Sequence, residues 1–125
     1  MTVSMRRTEI PRSSGAPAEA RRMVDLLGLD APTAEVVRLA VSELVSNAVM
    51  HGSGSIGVAL GVDEEGVHVA VSDGGGGFRP PGEPVMPPPD AAGGRGLALI
   101  AMLSARWGVL PGEPTRVWCL ITARG

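Results

Sequence analysis

The chain has 125 residues, of which 44% are apolar and 19% charged, with a formal net charge of -2. That is one domain's length, residues 1–125, with enough apolar side chain for a single core, which excludes a disordered chain and a general nucleic-acid footprint. Lone Cys119 excludes an internal disulfide, and Lys is absent, so every Lys-or-Arg position is Arg.

In chain order, "TVSMRRTEI" alternates loosely through Val3, Met5 and Ile10 and predicts a weak edge strand that Pro11 closes. "APAEARRMVDLLGL" predicts a helix with Pro17 in its first turn, a face of Ala20, Met23, Val24 and Leu27, and a stop at Gly28. "DAPTAEVVRLAVSELVSNAVMHG" carries the strongest helical pattern, with Thr33 as N-cap, an apolar face from Val36 to Val49 and a stop at Gly52. Two strands follow, "SIGVALGVD" and "GVHVAVSD", joined by the turn "EEG". Residues 74 to 94, rich in Gly and Pro, exclude helix and central strand and form a long loop. "RGLALIAMLSARWG" resumes a helix with Leu97, Ile100, Ala101 and Leu103 facing inward. "RWGVL" and "TRVWCLITA" close the chain as a hairpin, with its turn at Glu113–Pro114.

The long helix holds a polar line, Glu43, Asn47 and His51, each four residues from the next. Such steps drift only about 40° around a helix and climb ~6 Å each, so the three share one stripe. A carboxylate there can serve as a general base, and an amide oxygen can ligate Mg²⁺. The wet edge of an amphipathic helix would show the same spacing. "VSDGGGGF" sets Asp73 at a strand end, where a carboxylate can accept from an exocyclic amine while Gly75 and Gly77 let a flat ring approach. "GGRGL" opens a helix whose first N–H groups suit a phosphate chain. Together these describe a purine triphosphate site. A P-loop is excluded for want of Lys, and a dinucleotide fingerprint because Gly75-x-Gly77 runs into Arg79, Pro80 and Pro81.

On these segments the chain resembles the ATP-binding domain shared by gyrase, histidine kinases and heat-shock chaperones, the GHKL superfamily, and most of all the bacterial anti-sigma factor serine/threonine kinases. "ELVSNAVMHG" resembles their N box, "VSDGGGGF" their G1 box and "GGRGLALI" their G2 box, within a likeness running from about Ile10 to Ile121. The resemblance implies a two-layer α/β sandwich with a mixed, mostly antiparallel sheet and helices on one face. It implies Glu43 as the base that activates an attacking hydroxyl, Asn47 as the Mg²⁺ ligand, and Asp73 on the adenine amino group above Gly75 and Gly77. Gly94, Arg95, Gly96 and Leu97 would wrap the ATP phosphates, and Thr115 would lie near the adenine, although Pro114 and Arg116 depart from the residues usual beside it. His51 has two readings, a phosphate or metal-water contact and a cap on the helix end. Residues 78–93 correspond to the ATP lid.

The function so implied is a cytoplasmic serine/threonine kinase that acts with ATP and Mg²⁺ on an anti-anti-sigma (STAS-type) partner and so controls a sigma factor. Homodimerisation through the first strand and helix is implied as well. The alternative is a non-catalytic, ATP-gated module that sequesters a sigma factor. Direct nucleic-acid contact by Arg6, Arg7, Arg12, Arg21 and Arg22 lacks any recognition motif. His68 and Cys119 are given no role.

Overall fold

A computed structural model describes residues 5–51, 54–73, 94–110 and 115–122, with backbone alone at 51, 94–97 and 115. The elements are β1 (Arg6–Ile10), α1 (Ala16–Asp25), α2 (Ala31–His51), β2 (Ile56–Asp63), β3 (Gly66–Asp73), α3 (Gly94–Leu103), β4 (Arg106–Leu110) and β5 (Thr115–Ile121). The strands form one sheet in the order β1-β2-β3-β5-β4. Every pairing is antiparallel, so the parallel component allowed by a mixed sheet is not found among the described strands. The two-layer arrangement expected from the sequence is borne out.

The register shows how the layers meet. Val58, Val71, Val117 and Val109 are cross-strand partners in one row, and Leu60, Val69, Cys119 and Trp107 in the next. These rows face α2, whose Val37, Ala40, Val41, Leu44, Val45 and Ala48 are fully buried. β-branched side chains suit such a pleated, half-buried surface, and the period of 3.6 gathers the α2 positions on one stripe. α1 closes the same core with Ala16, Ala20 and Val24. Among the described side chains of α3, Ile100 and Ala98 are buried, while Ala101 and Leu103, expected to face inward, are only half-buried. No described helix is long and apolar enough to cross a membrane.

Local chemistry sets the element boundaries. Gly28 adopts φ +67°, the left-handed conformation that lets the chain turn between α1 and α2. The N-cap of α2 is Asp30 rather than Thr33. The Asp30 carboxylate accepts the Thr33 backbone N–H at 3.1 Å and the Thr33 hydroxyl at 2.9 Å. Thr33 therefore sits at the third helical position, where its N–H needs an acceptor, and Pro32 in the first turn sacrifices no helical bond. In the β2–β3 turn, Gly66 has φ +143°, and a Cβ there would collide with the Ile121 carbonyl oxygen. The Asp63 carboxylate fastens this turn by accepting from the Glu65 N–H at 2.9 Å, with His68 Nε2 3.0 Å away.

The hydrogen bonds from the Thr33 hydroxyl and backbone N–H hold the Asp30 carboxyl below its usual 3.8. A folded-state pKa below the unfolded one adds stability above the unfolded value and loses it as pH falls through the folded value. Asp30→Ala is expected to lower the thermal midpoint at pH 7, and Asp30→Asn, which keeps an acceptor, to recover most of the loss. Urea midpoints from pH 7 down to pH 3 should show the Asp-to-Ala gap closing at the acid end; a constant gap would contradict the cap.

Candidate functional site

Among the described residues, the polar side chains Asn47 and Asp73 are buried toward one end of the sheet. There Ile10, Ile56, Asp73 and Thr115 stand in register across β1, β2, β3 and β5. Asp73 continues the alternation of Val67, Val69 and Val71, so it lies on the helix-facing side of the sheet and is only 2% exposed. α2 ends at His51, five residues before Ile56, so the chain itself brings the C-terminal end of this helix to the same edge. Arg12 reinforces that placement by donating from its guanidinium to the Val49 carbonyl at 2.9 Å. The short connection Ser104–Ala105 makes α3 double back along β4, which directs its first turn, Gly94 to Leu97, toward the same end.

Asn47 is 4% exposed and sits between the fully buried Leu44, Val45 and Ala48. Its side-chain nitrogen is buried without a hydrogen-bond partner among the described residues. An orphaned buried amide costs free energy, about 1–3 kcal/mol. Oxygen and nitrogen of an amide exchange by a half-turn, so the group can present either an acceptor or a donor to an occupant. Glu43 lies one turn earlier on α2 and is half-buried. The helix thus grades from a half-exposed carboxylate to a buried amide, which differs from the uniformly wet edge that its spacing alone allows.

The backbone of His51 ends α2, and Gly94, Arg95, Gly96 and Leu97 form the first turn of α3. Thr115 is the direct Cα partner of Asp73. Gly75, Gly77 and the lid at 78–93 lie outside the described residues, as does the Gly52 stop. Arg116, one of the departures beside Thr115, projects from the opposite face of the sheet, in register with Ser72 and Gly57. It therefore leaves the interlayer untouched. The sequence had not singled out Ser72, a buried hydroxyl next to Asp73; its signal was the alternation of β3, which sends it to the open face.

Two sequence features without an assigned role find structural ones. Asp63, Glu65 and His68 bring ligand atoms within 4.8 Å of one another. They sit at the far end of the sheet from Asp73, where Asp63 ties down the turn and Glu65 pairs with Arg106 at 2.8 Å. Burial raises the Cys119 thiol to about 11, against a smaller opposing hydrogen bond from Ser104, so Cys119 is an unreactive thiol in the core.

A buried carboxylate, a buried amide and a helix start thus lie toward one end of the α/β sandwich. The chain belongs to the histidine kinase-like ATPase domain family, whose model matches residues 11–117. Among solved structures, it is similar in fold to a chain described as the RsbU and RsbW domains of Rv1364c from Mycobacterium tuberculosis. The TM-score is 0.65 at 20% identity, with 96% of this chain and 33% of that chain covered. The present sequence thus spans about one third of that chain's length. No curated protein matches the sequence.

Asn47→Leu fills the same interlayer without an orphaned amide. Its unfolding free energy is expected to stay within about 1 kcal/mol of the parent or to exceed it. Leu44→Ala, one turn away, should cost roughly 2–5 kcal/mol. Urea denaturation of both proteins checks this, and a loss at Asn47 as large as that at Leu44 would show the amide to be structural.

Proposed function

We propose that this domain binds Mg·ATP and transfers the γ-phosphoryl group to a serine or threonine of a regulatory protein partner. The observation that carries the reading is the pair of buried polar side chains, Asn47 and Asp73, toward one end of the interlayer. Membership of an ATPase family supports the nucleotide, and the resemblance of the three boxes to anti-sigma factor kinases supports the acceptor. The partners are then an anti-anti-sigma (STAS-type) protein as phosphoryl acceptor and a sigma factor as the regulated target, with the domain acting as a cytoplasmic homodimer.

The roles are those the resemblance implies, and the chemistry of each side chain supports them. Asp73 accepts a hydrogen bond from the adenine amino group, in a setting dry enough to make that bond selective. Gly75 and Gly77 leave room for the ring, and Thr115 borders it. Asn47 offers its amide oxygen to Mg²⁺, a hard cation that keeps waters and phosphates as its other ligands. His51 completes the polar line near the phosphates. Gly94, Arg95, Gly96 and Leu97 supply N–H groups and a positive helix end to the phosphate chain. The metal supplies charge neutralisation to the transferring group. Glu43, closer to solvent, takes the proton from the attacking hydroxyl.

Glu43→Ala should reduce phosphotransfer to a cognate partner by about 10²–10⁴-fold, the range of a lost general base, with ATP affinity nearly unchanged. Asp73→Asn should instead weaken ATP binding, read by calorimetry with Mg²⁺ present. If partner regulation survives Glu43→Ala undiminished, the domain is an ATP-gated binding module rather than a kinase.

A further inference from the structure

The face of the sheet turned away from the helices carries a cavity of about 300 Å³. Its floor is made by Gly57 and Ala59 of β2 with Ala70 of β3, and its walls include Arg7 of β1 and Arg116 of β5. Register explains the shape. Glu9, Gly57, Ser72 and Arg116 form one row, and Arg7, Ala59 and Ala70 the next. The central strands contribute almost no side chain, and the flanking strands contribute long cations. Those strands stand about 14 Å apart at a spacing near 4.8 Å per strand, and arginine side chains can reach inward from both sides.

Ser72 is the second observation. It lines the cavity, is 6% exposed, and its hydroxyl has no hydrogen-bond partner among the described residues. A Cβ added at Gly57 would lie 2.7 Å from the Ser72 Oγ and 2.9 Å from an Arg7 guanidinium nitrogen. The hydroxyl and the cation therefore converge on one point, and that point is vacant of side chain because residue 57 is glycine.

The nearby anion is Glu9, which accepts from Arg7 at 3.2 Å and from the Ser55 hydroxyl at 2.9 Å. The Arg7–Glu9 pair is 52% and 59% exposed, so solvent screens it and Arg7 keeps donors for another acceptor. Arg116 has no acceptor among the described residues. Two guanidiniums and one carboxylate leave the cavity with a net positive charge.

We propose that this open-face cavity is a binding site for a phosphate group, held by Arg7, Arg116 and the Ser72 hydroxyl and separate from the nucleotide site across the sheet. Guanidiniums match phosphate oxygens in two-point fashion, and a buried hydroxyl supplies a further donor where water is scarce. The group arrives as the free ion or on a phosphorylated side chain of a protein, and the floor of small residues admits either.

The test is a titration of the ¹⁵N-labelled 125-residue chain with inorganic phosphate and, separately, with N-acetyl-phosphoserine amide, read by amide chemical shifts. Saturable shifts at Gly57, Ser72 and Arg116 are expected. Arg116→Gln should weaken the affinity about tenfold or more, as loss of a charged hydrogen bond requires, and Ser72→Ala by less. Asp73→Asn, on the other face, should leave both titrations unchanged. Tighter binding of the phosphoserine derivative identifies a side-chain site, and equal or tighter binding of inorganic phosphate a free-ion site. Absence of saturable shifts with both probes overturns the proposal, as do shifts that persist in Arg116→Gln or vanish in Asp73→Asn.

Discussion

The structure depends on the seating of the α2 stripe on the valine rows of the sheet. Leu44, Val45 and Val41 share one buried core with Val58, Val71 and Val117, which excludes water from the interlayer. With few aromatic residues in the chain, this contact is built from small branched side chains that fit the pleat without leaving large voids. It is also what gives Asn47 and Asp73 their meaning. The same side chains on a solvated surface would cost nothing and select nothing. In a dry layer the orphaned Asn47 nitrogen carries a penalty that an occupant with a matching group removes.

That seating was legible in the sequence because it rests on periodicity. The step of 3.6 in residues 36–49 and the alternation at Val67, Val69 and Val71 each specify a face, and both faces are the ones observed. The start of α2 was less legible. Thr33 and Asp30 are both good caps by residue type, and only the position of the first turn decides which carboxylate or hydroxyl meets the free N–H. The burial of Ala98 was hidden for a related reason: a helix this rich in apolar residues offers little contrast by which to choose a face. Sheet order, β1-β2-β3-β5-β4, is a matter of which strand lies beside which, and no local pattern encodes it.

The candidate site was legible as a set of residue types at particular spacings, and the fold adds the reason they matter. Glu43 and Asn47 differ little on paper. In the molecule, one is half-buried and the other 4% exposed, which separates a group suited to exchanging protons from one suited to fixed coordination. The departure at Arg116 likewise changes character. As a letter beside Thr115 it seemed to disturb an adenine pocket, yet the pleat carries it to the other side of the sheet.

The pleat therefore governs how this small sheet can carry more than one chemical surface. Consecutive residues on a strand serve opposite faces: Asp73 faces the helices, while Ser72 and Arg116 face outward. A one-residue slip of β5 against β3 would exchange these assignments, placing a guanidinium in the dry interlayer, where an unpaired charge is prohibitive. The register is fixed against such a slip from both sides, by Val117, Cys119 and Ile121 in the core and by Arg116 in water. The hydrophobic alternation that stabilises the sheet is thus the same constraint that keeps its two polar surfaces distinct.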